Sequence, residues 1–499
     1  MKTKVNLSKL FTVCLLAVLL FVSGLPLLLN TNAKDNNTVF AVTDSDWYED
    51  YPGQAPKNGT CGEDVTWQWD VVDGQGVLTI GGTGTTISNT DGWQGNTSLI
   101  HKVIIGDNIT TINANPWTWA TMEVKLGSNL VSLTGFTFMN CQSLTTVKCS
   151  SNDPDGVITL PSGVTEIGDN FFLGCENITF VKLNNNITSI GKYAFSACVR
   201  LTTIKCAATD PNGVATLPSS MTEISENLFG SGYNENLDRF VTPCTSLVSV
   251  RLNNNITKIG DFAFAGCQSL TTIKCAATDP NGIATLPEEL EYIGINAFGS
   301  EMSYDGCAMS AVNFSSNVTY IGYNCFIDCT NLSRVNGGKT NGLCVIPASV
   351  EFIGGYAFFG CDDITDVVIE GNNLQLDDWG DLPFFINNDC WDQDNELLLC
   401  QSGNYHIYIP NEQYYSSYQS NAQTYAEEDE DKSWVSWAKY FGENGLVVNG
   451  SPNGYPVDSS SGGEQTGVLV NIILPSSCLA LLIFALVMYV FSFRRKRHI

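Results

Sequence analysis

Cysteine is a reactive residue type that this sequence uses often, with 18 copies. A thiolate can act as a nucleophile, bind zinc or form a disulfide, often with histidine as the partner in the first two roles. Histidine is scarce, and neither His101 nor His406 stands in a metal-binding or catalytic motif. The sequence contains no C-x-x-C, H-E-x-x-H or G-x-S-x-G motif. We therefore expect no catalytic residue, no cofactor and no metal site, and the sequence predicts that the protein is not an enzyme.

The spacing of the cysteines leaves two structural interpretations open. Cys14 and Cys478 lie in apolar terminal segments, so 16 of the 18 remain, an even number that fits a disulfide framework in an exported protein. Small buried residues stacked in a ladder are the other interpretation, because one cysteine recurs at the same place in a repeated motif. The seven cysteines at that place are Cys141, Cys175, Cys198, Cys244, Cys267, Cys329 and Cys361. We expect these seven to be free thiols in the core.

The remaining cysteines follow the motif less closely. Cys307 is one residue out of register, whereas Cys325 and Cys344 stand where other copies have alanine and suit small core positions. Cys390 and Cys400 lie outside the repeats and are the best candidates for a disulfide. Three more recur eight residues after a repeat cysteine, with a less certain role: Cys149, Cys206 and Cys275.

A phenylalanine recurs at intervals of 23 to 35 residues within the pattern I-G-x-x-A-F-x-x-C-x-x-L-x-x-I/V. The clearest copies are residues 190–198 and 259–267. Each copy continues into an alternating apolar run that predicts a short strand, followed by an Asp-Pro-x-Gly or Asn-rich turn. One copy is too short to bury its own apolar side chains, so we expect the copies to stack around a shared core. The eight repeat phenylalanines are Phe138, Phe172, Phe195, Phe229, Phe264, Phe298, Phe326 and Phe358.

This motif resembles the BspA-type leucine-rich repeats of bacterial and protist surface proteins, over about residues 60–376. The resemblance implies an α/β repeat solenoid, a right-handed coil with short strands. Residues 61–112 are similar to the β-rich N-terminal cap of such proteins, and residues 113–376 carry the repeats. Residues 377–450, with Tyr408-Ile409-Pro410 and several further aromatic residues, are similar to a closing cap.

Two departures from the motif stand out. Ser225 replaces the motif glycine, and residues 231–243 and 300–306 interrupt two copies. Both insertions are short, polar and rich in Gly, Asn and Asp, so we expect surface loops.

The two ends of the chain predict export and anchoring. Residues 1–41 have a basic head, an apolar run and a small-residue cleavage site ending at Ala41, as in a signal peptide, and residues 42–60 read as a linker. Residues 451–467 form a Gly/Ser-rich tether, residues 468–493 an apolar segment long enough to span a bilayer, and residues 494–499 a basic cytoplasmic tail. This layout resembles a cell-wall sorting signal with cleavage between Thr466 and Gly467, so a wall-linked chain and a retained single-pass helix both stay open.

The charge balance limits the partners. The chain carries 51 acidic and 24 basic residues, which argues against binding to nucleic acid. The resemblance implies contact with a host matrix or cell. We expect a cell-surface adhesin or interaction module that binds an extracellular protein or glycan, with its bulk outside the cell and held to the membrane by the C-terminal helix. The alternative is a structural surface coat without a dedicated ligand.

Overall fold

The computed structural model describes residues 58–452 and 455, all within the compact unit Lys57–Ile499. Residues 91–92, 94–97, 115–116, 134–136, 185, 236–237, 301–304, 338–339, 377–383, 385–390, 393–396, 399–405, 428–446 and 453–454 are outside this description. The predicted signal peptide, tether, apolar segment and basic tail also fall outside it, apart from residues 451, 452 and 455. Among the described residues, no helix is long and apolar enough to cross a bilayer.

One sheet of 19 strands runs through the whole described unit, and we call it the long sheet. Its first three strands pair antiparallel, and every later pairing, starting with Gln75–Gly82 against Ile100–Ile105, is parallel. In spatial order the strands are Asn58–Gly62, Val65–Val72, Gln75–Gly82, Ile100–Ile105, Glu123–Lys125, Thr146–Lys148, Ile158–Thr159, Phe180–Lys182, Thr203–Lys205, Ala215–Thr216, Ser249–Arg251, Thr272–Lys274, Ile283–Thr285, Ala311–Asn313, Arg334–Val335, Leu343–Ile346, Asp366–Ile369, His406–Ile409 and Val447–Asn449.

A second row consists of two-residue strands that follow the long-sheet strands along the chain. They form three separate sheets, here called the short sheets. The first contains Thr86–Ile87, Thr111–Ile112 and Ser132–Leu133, and the second Glu166–Ile167 and Ser189–Ile190. The third contains Glu223–Ile224, Lys258–Ile259, Tyr292–Ile293, Tyr320–Ile321, Phe352–Ile353 and Gln375–Leu376. The row is therefore interrupted twice, between Leu133 and Glu166 and between Ile190 and Glu223.

The core between the two rows of strands contains a continuous stack of aromatic rings. The eight repeat phenylalanines are at most 2% exposed. Trp117 precedes them and Phe384 follows them, and neighbouring rings lie 5.1 to 5.6 Å apart with planes within 19° of parallel. Each coil therefore contributes one ring to the next coil's packing, so no single coil has a core of its own.

The Asp-Pro-x-Gly segments add strands to the long sheet without adding a ring. Val147 and Ile158 are neighbours in the sheet although only 11 residues separate them, and Ile158 also pairs with Val181. The turn closes at Gly156, whose φ of 74° suits glycine. An interval of 34 residues is thus one 23-residue coil plus an 11-residue loop that supplies one extra strand.

The helical part of the expected α/β class is not found in the described repeats, which consist of strands and turns. The one α-helix that the described residues contain, Glu412–Glu427, follows the repeats. Its Tyr418 is 1% exposed and packs into the core. Two small hairpins complete the strands: Gly232–Asn234 with Arg239–Val241, and Trp391–Asp392 with Leu397–Leu398.

Candidate functional site

The second interruption of the short sheets, between Ile190 and Glu223, coincides with Ser225, the serine at the motif glycine position. At the equivalent positions the backbones of neighbouring coils approach too closely for a side chain: a Cβ on Gly191 would lie 2.5 Å from the backbone nitrogen of Asp169, and one on Gly260 2.7 Å from that of Glu226. Both glycines donate their N–H to the preceding coil, Gly191 to Ile167 and Gly260 to Ile224, each at 2.8 Å. The same close approach is not available to Ser225, which carries a Cβ.

The hydroxyl of Ser225 replaces the missing backbone contact. Its Oγ donates to the carbonyl oxygen of Ile190, the atom that a glycine N–H would otherwise reach. Interval length does not explain the break, because Lys258 and Tyr292, also 34 residues apart, are directly paired in the continuous part of the row. Coil length alone therefore does not open this edge, and Ser225 is the residue that differs from the motif at this interruption.

An open cavity of about 560 Å³ lies across the interruption and is lined by four successive coils. Its charged lining combines five carboxylates with two lysines: Glu166, Asp169, Glu223, Glu226, Asp261, Lys192 and Lys258. Lys192 Nζ lies 2.6 Å from Glu226 Oε2, across the gap that Ser225 opens. This hydrogen bond raises the pKa of Lys192. The groove is therefore polar, shallow and net negative.

The insertion at residues 231–243 forms an antiparallel hairpin beside this groove. Tyr233 and Phe240 face each other across it with ring centroids 5.4 Å apart, and they are 45% and 53% exposed. The hairpin is anchored by Asn234, which is buried and donates its Nδ2–H to Asn170 Oδ1 at 2.8 Å. Tyr193 Oη also donates to the carbonyl oxygen of Tyr233 at 2.6 Å. The expected surface loop is therefore a fixed hairpin that presents two aromatic rings to solvent.

A smaller cavity of about 230 Å³ joins the hairpin to the groove. Asp169, Lys192 and Glu226 line both cavities, and Tyr233 and Glu235 of the hairpin complete the smaller one. Burial, with help from Glu226 and Glu235, raises the pKa of Tyr193 in its wall to about 12, so this phenol remains a hydrogen-bond donor at neutral pH. We refer to the two cavities and the hairpin together as the Ser225 site.

The repeat cysteines lie in the core, where their thiols bridge neighbouring coils. Cys175 Sγ donates to the carbonyl oxygen of Phe138 at 3.0 Å, and Cys198 Sγ to that of Phe172 at 3.2 Å. The same bond recurs at Cys244, Cys267, Cys307, Cys329 and Cys361, each to the phenylalanine of the preceding coil. All 14 described cysteines are free thiols.

One further cysteine belongs to this ladder. Cys307, expected one residue out of register, occupies the ladder position: its N–H bonds to Phe298 and its thiol to Phe264. The insertion of residues 300–306 separates Cys307 from Phe298 in the sequence, whereas in uninterrupted copies the cysteine stands three residues after the phenylalanine. Burial raises the pKa of ladder thiols such as Cys267 and Cys329 to about 12, which disfavours the reactive thiolate.

Comparison with known proteins identifies the repeats. A family model described as a BspA type leucine-rich repeat region matches in six copies over residues 93–154, 156–243 and 235–379, more than half of the chain. The chain belongs to the BspA-type leucine-rich repeat family. A search of curated proteins found no match to this chain.

Several solved structures are similar to this BspA-type chain at low identity. A leucine-rich repeat protein from Eubacterium ventriosum is 15% identical, with a TM-score of 0.37, covering 64% of this chain and 86% of that one. A leucine-rich cell surface protein from Faecalibacterium prausnitzii is 18% identical, with a TM-score of 0.26 and coverages of 64% and 96%. The pneumococcal vaccine antigen PcpA is 13% identical, with a TM-score of 0.34 and coverages of 74% and 97%.

The Ser225 site was not predicted from the sequence of this BspA-type protein, although both of its signals were visible there. Ser225 was noted as a departure from the motif and residues 231–243 as an insertion, but nothing in the sequence placed them side by side. The predicted processing residues Ala41, Thr466 and Gly467 and the disulfide candidates Cys390 and Cys400 lie outside the described residues. Within the described part of the chain, no cluster of His, Cys, Asp or Glu suits a metal ion.

Proposed function

We propose that this BspA-type protein is exported to the cell surface and acts there as an adhesin or interaction module for an extracellular protein or glycan. The observation that carries the proposal is the exposed Tyr233–Phe240 pair beside the polar groove at Ser225. Exposed aromatic residues next to polar side chains are typical of contact surfaces, because the rings supply apolar area at low entropic cost. The proposal includes no catalytic activity.

The groove and the hairpin offer complementary contacts to one ligand. The carboxylates can accept hydrogen bonds from a protein's cationic side chains or from sugar hydroxyls, and the rings can pack against an apolar or sugar face. The buried Asn234–Asn170 bond holds the hairpin in place, so little ordering entropy is lost when a ligand binds. This pre-organisation favours a dedicated binding surface over a featureless coat.

A binding experiment separates the adhesin from the structural coat. Cells that display the full-length chain are applied to arrays of immobilised matrix proteins and glycans, and saturable binding to one class is expected. The Tyr233→Ala/Phe240→Ala variant is expected to lose at least tenfold in affinity. Trp119→Ala, which also removes an exposed aromatic side chain (54% exposed), serves as the matched control and is expected to bind normally. Absence of saturable binding together with high copy number would favour the coat.

We also propose that the termini direct the protein to the surface as their sequences indicate. Removal of residues 1–41 leaves Val42 as the mature N-terminus. Residues 451–467 then act as a tether, and residues 468–493 either anchor the chain or are removed after Thr466. Mass spectrometry of the mature chain distinguishes these outcomes, and an intact N-terminal segment on the purified surface protein contradicts export by this signal.

A further inference from the structure

A row of cations crosses the outer face of the long sheet. In six strands the central residue is fully buried, as at Val147 and Ile204, and side chains alternate between the two faces of a strand. The residue after it therefore faces outward. In all six strands it is basic: Lys125, Lys148, Lys182, Lys205, Arg251 and Lys274. These are six of the 24 basic residues of a chain whose net charge is −27.

The sheet register brings these cations together in pairs. Lys125 is the direct neighbour of Lys148, Lys182 of Lys205, and Arg251 of Lys274. Adjacent strands are about 4.8 Å apart, so each pair concentrates two positive charges within one strand spacing. One extra strand from an Asp-Pro-x-Gly segment separates successive pairs, which gives a repeat of three strands, or about 14 Å.

The extra strands place threonines between the pairs. Thr159 is the neighbour of Lys182, and Thr216 that of Arg251. Both threonines are more than nine-tenths buried, at 7% and 8% exposure, yet their hydroxyls have no hydrogen-bond partner among the described residues. A buried hydroxyl without a partner is costly, and a ligand that accepts or donates a hydrogen bond relieves that cost.

Few carboxylates neutralise this row. Among the described residues, Lys148 alone of the six cations has a salt bridge, to Asp155. Asp153, Asp210 and Asp279 of the adjoining turns accept hydrogen bonds from backbone N–H groups of their own loops. The cations of the other two pairs are therefore free to contact an external anion.

We propose that this cationic row binds an extended polysaccharide that carries sulfate or carboxylate groups. This proposal names a ligand class for the proposed surface function. It rests on that function because the row meets extracellular glycans only if the protein is at the cell surface. Pairs of cations that repeat every three strands across the sheet suit a linear polyanion better than a compact anion. Single-stranded nucleic acid fits less well, because binding it calls for free aromatic platforms. Phe180, an aromatic residue of this sheet, is already covered by Lys205, whose Nζ lies 5.5 Å from its centroid.

Dextran sulfate, with uncharged dextran as the matched neutral polymer, tests the proposal on the full-length protein in neutral detergent. We expect dextran sulfate alone to bind. Lys182→Gln/Lys205→Gln is expected to weaken binding at least tenfold and to lower the slope of log K against log salt by about two, one for each lost cation. The control Lys102→Gln/Arg200→Gln removes two cations that already have partners, Glu123 at 2.9 Å and Asn177 at 3.0 Å, and is expected to bind within twofold of wild type.

Three results would overturn the proposal: equal losses in both double variants, equal binding of uncharged dextran, or tighter binding of single-stranded oligothymidylate than of dextran sulfate. Far-UV circular dichroism and melting of both variants check that the fold is intact. The Tyr233→Ala/Phe240→Ala protein is expected to bind dextran sulfate normally. This variant separates the two proposals. If the Ser225 site binds no ligand on the arrays, dextran sulfate binding is unaffected; if the cationic row binds no dextran sulfate, binding to the arrays is unaffected.

Discussion

Ser225 donates its hydroxyl hydrogen to the carbonyl oxygen of Ile190, at a position where the next coil uses the backbone N–H of a glycine. A Cβ at position 225 does not fit the close backbone approach of the neighbouring coils, because a Cβ at Gly191 or Gly260 would lie within 2.7 Å of backbone nitrogen. Ser225 lines the groove at this interruption, and the hairpin lies beside it.

The Ser225→Gly variant is expected to close the groove. Without the Cβ, the N–H of residue 225 can reach Ile190, and its hydrogen exchange is expected to slow at least tenfold, corresponding to about 1.4 kcal/mol of local protection. Exchange measured by NMR or mass spectrometry checks this. Ser225→Ala is the control, since it removes the hydroxyl but keeps the Cβ. Equal slowing in both variants would show that the Cβ is not what holds the coils apart.

Phe264 lies between Phe229 and Phe298 in the ring stack, 5.6 and 5.4 Å from them, and is fully buried. Phe264→Ala is expected to lower the free energy of unfolding by about 3–5 kcal/mol, because it leaves a cavity between two coils. Urea unfolding of the full-length protein provides the measurement. Phe240→Ala removes a ring that is 53% exposed and is expected to cost no more than about 0.5 kcal/mol. Similar losses in both variants would contradict the dominant role of the stack.

Much of the repeat architecture could be read from the sequence, because one Phe and one Cys mark each coil. The irregular intervals could not be explained in advance. At Val147 and Ile158 the sheet gains a strand after only 11 residues, and a turn motif does not reveal that its flanks pair with each other. The described parts of the repeats also lack the helices expected of an α/β solenoid, since such short connecting segments close with turns.

The binding surfaces were harder to predict because they arise from residues that are distant in sequence. Lys182 and Lys205 become neighbours through the sheet register, 23 residues apart, and composition gave no hint of a cationic row in an acidic chain. Tyr233 and Phe240 are close in sequence, yet their position beside the groove depends on Asn234 reaching Asn170, 64 residues earlier.

The buried thiols predict loss of stability in alkali. Burial raises the pKa of Cys267 and Cys329 from 9.0 to about 12, so the folded state holds these protons more tightly than the unfolded state does. Their contribution is fully present below pH 9 and declines as the pH rises from 9 towards 12, by about 1.4 kcal/mol per pH unit for each thiol. Thermal melting between pH 7 and 10.5 is expected to show a falling midpoint above pH 9.

A substitution isolates the thiols from other alkaline effects. Cys267→Ala removes one titrating group and is expected to flatten the decline above pH 9, although it lowers stability at neutral pH through loss of the sulfur's packing. Lys102→Gln changes a partly exposed ion pair and is expected to leave the slope as it is. An unchanged slope in Cys267→Ala would contradict thiol ionisation as the cause.

Tyr418 joins the helix Glu412–Glu427 to the last coil of the described repeats. Its Oη accepts a hydrogen bond from the N–H of Leu374 at 2.7 Å and donates one to the carbonyl oxygen of Gly371 at 3.3 Å, all in a buried position. Tyr418→Phe removes this bridge from a buried N–H and is expected to cost about 1–3 kcal/mol in urea unfolding, with faster hydrogen exchange at Leu374. Tyr414→Phe, on the same helix but only partly buried, is the control and is expected to change stability by less than about 1 kcal/mol. Should Leu374 exchange as slowly in Tyr418→Phe as in the wild type, the hydroxyl is not what fixes the helix to the end of the repeats.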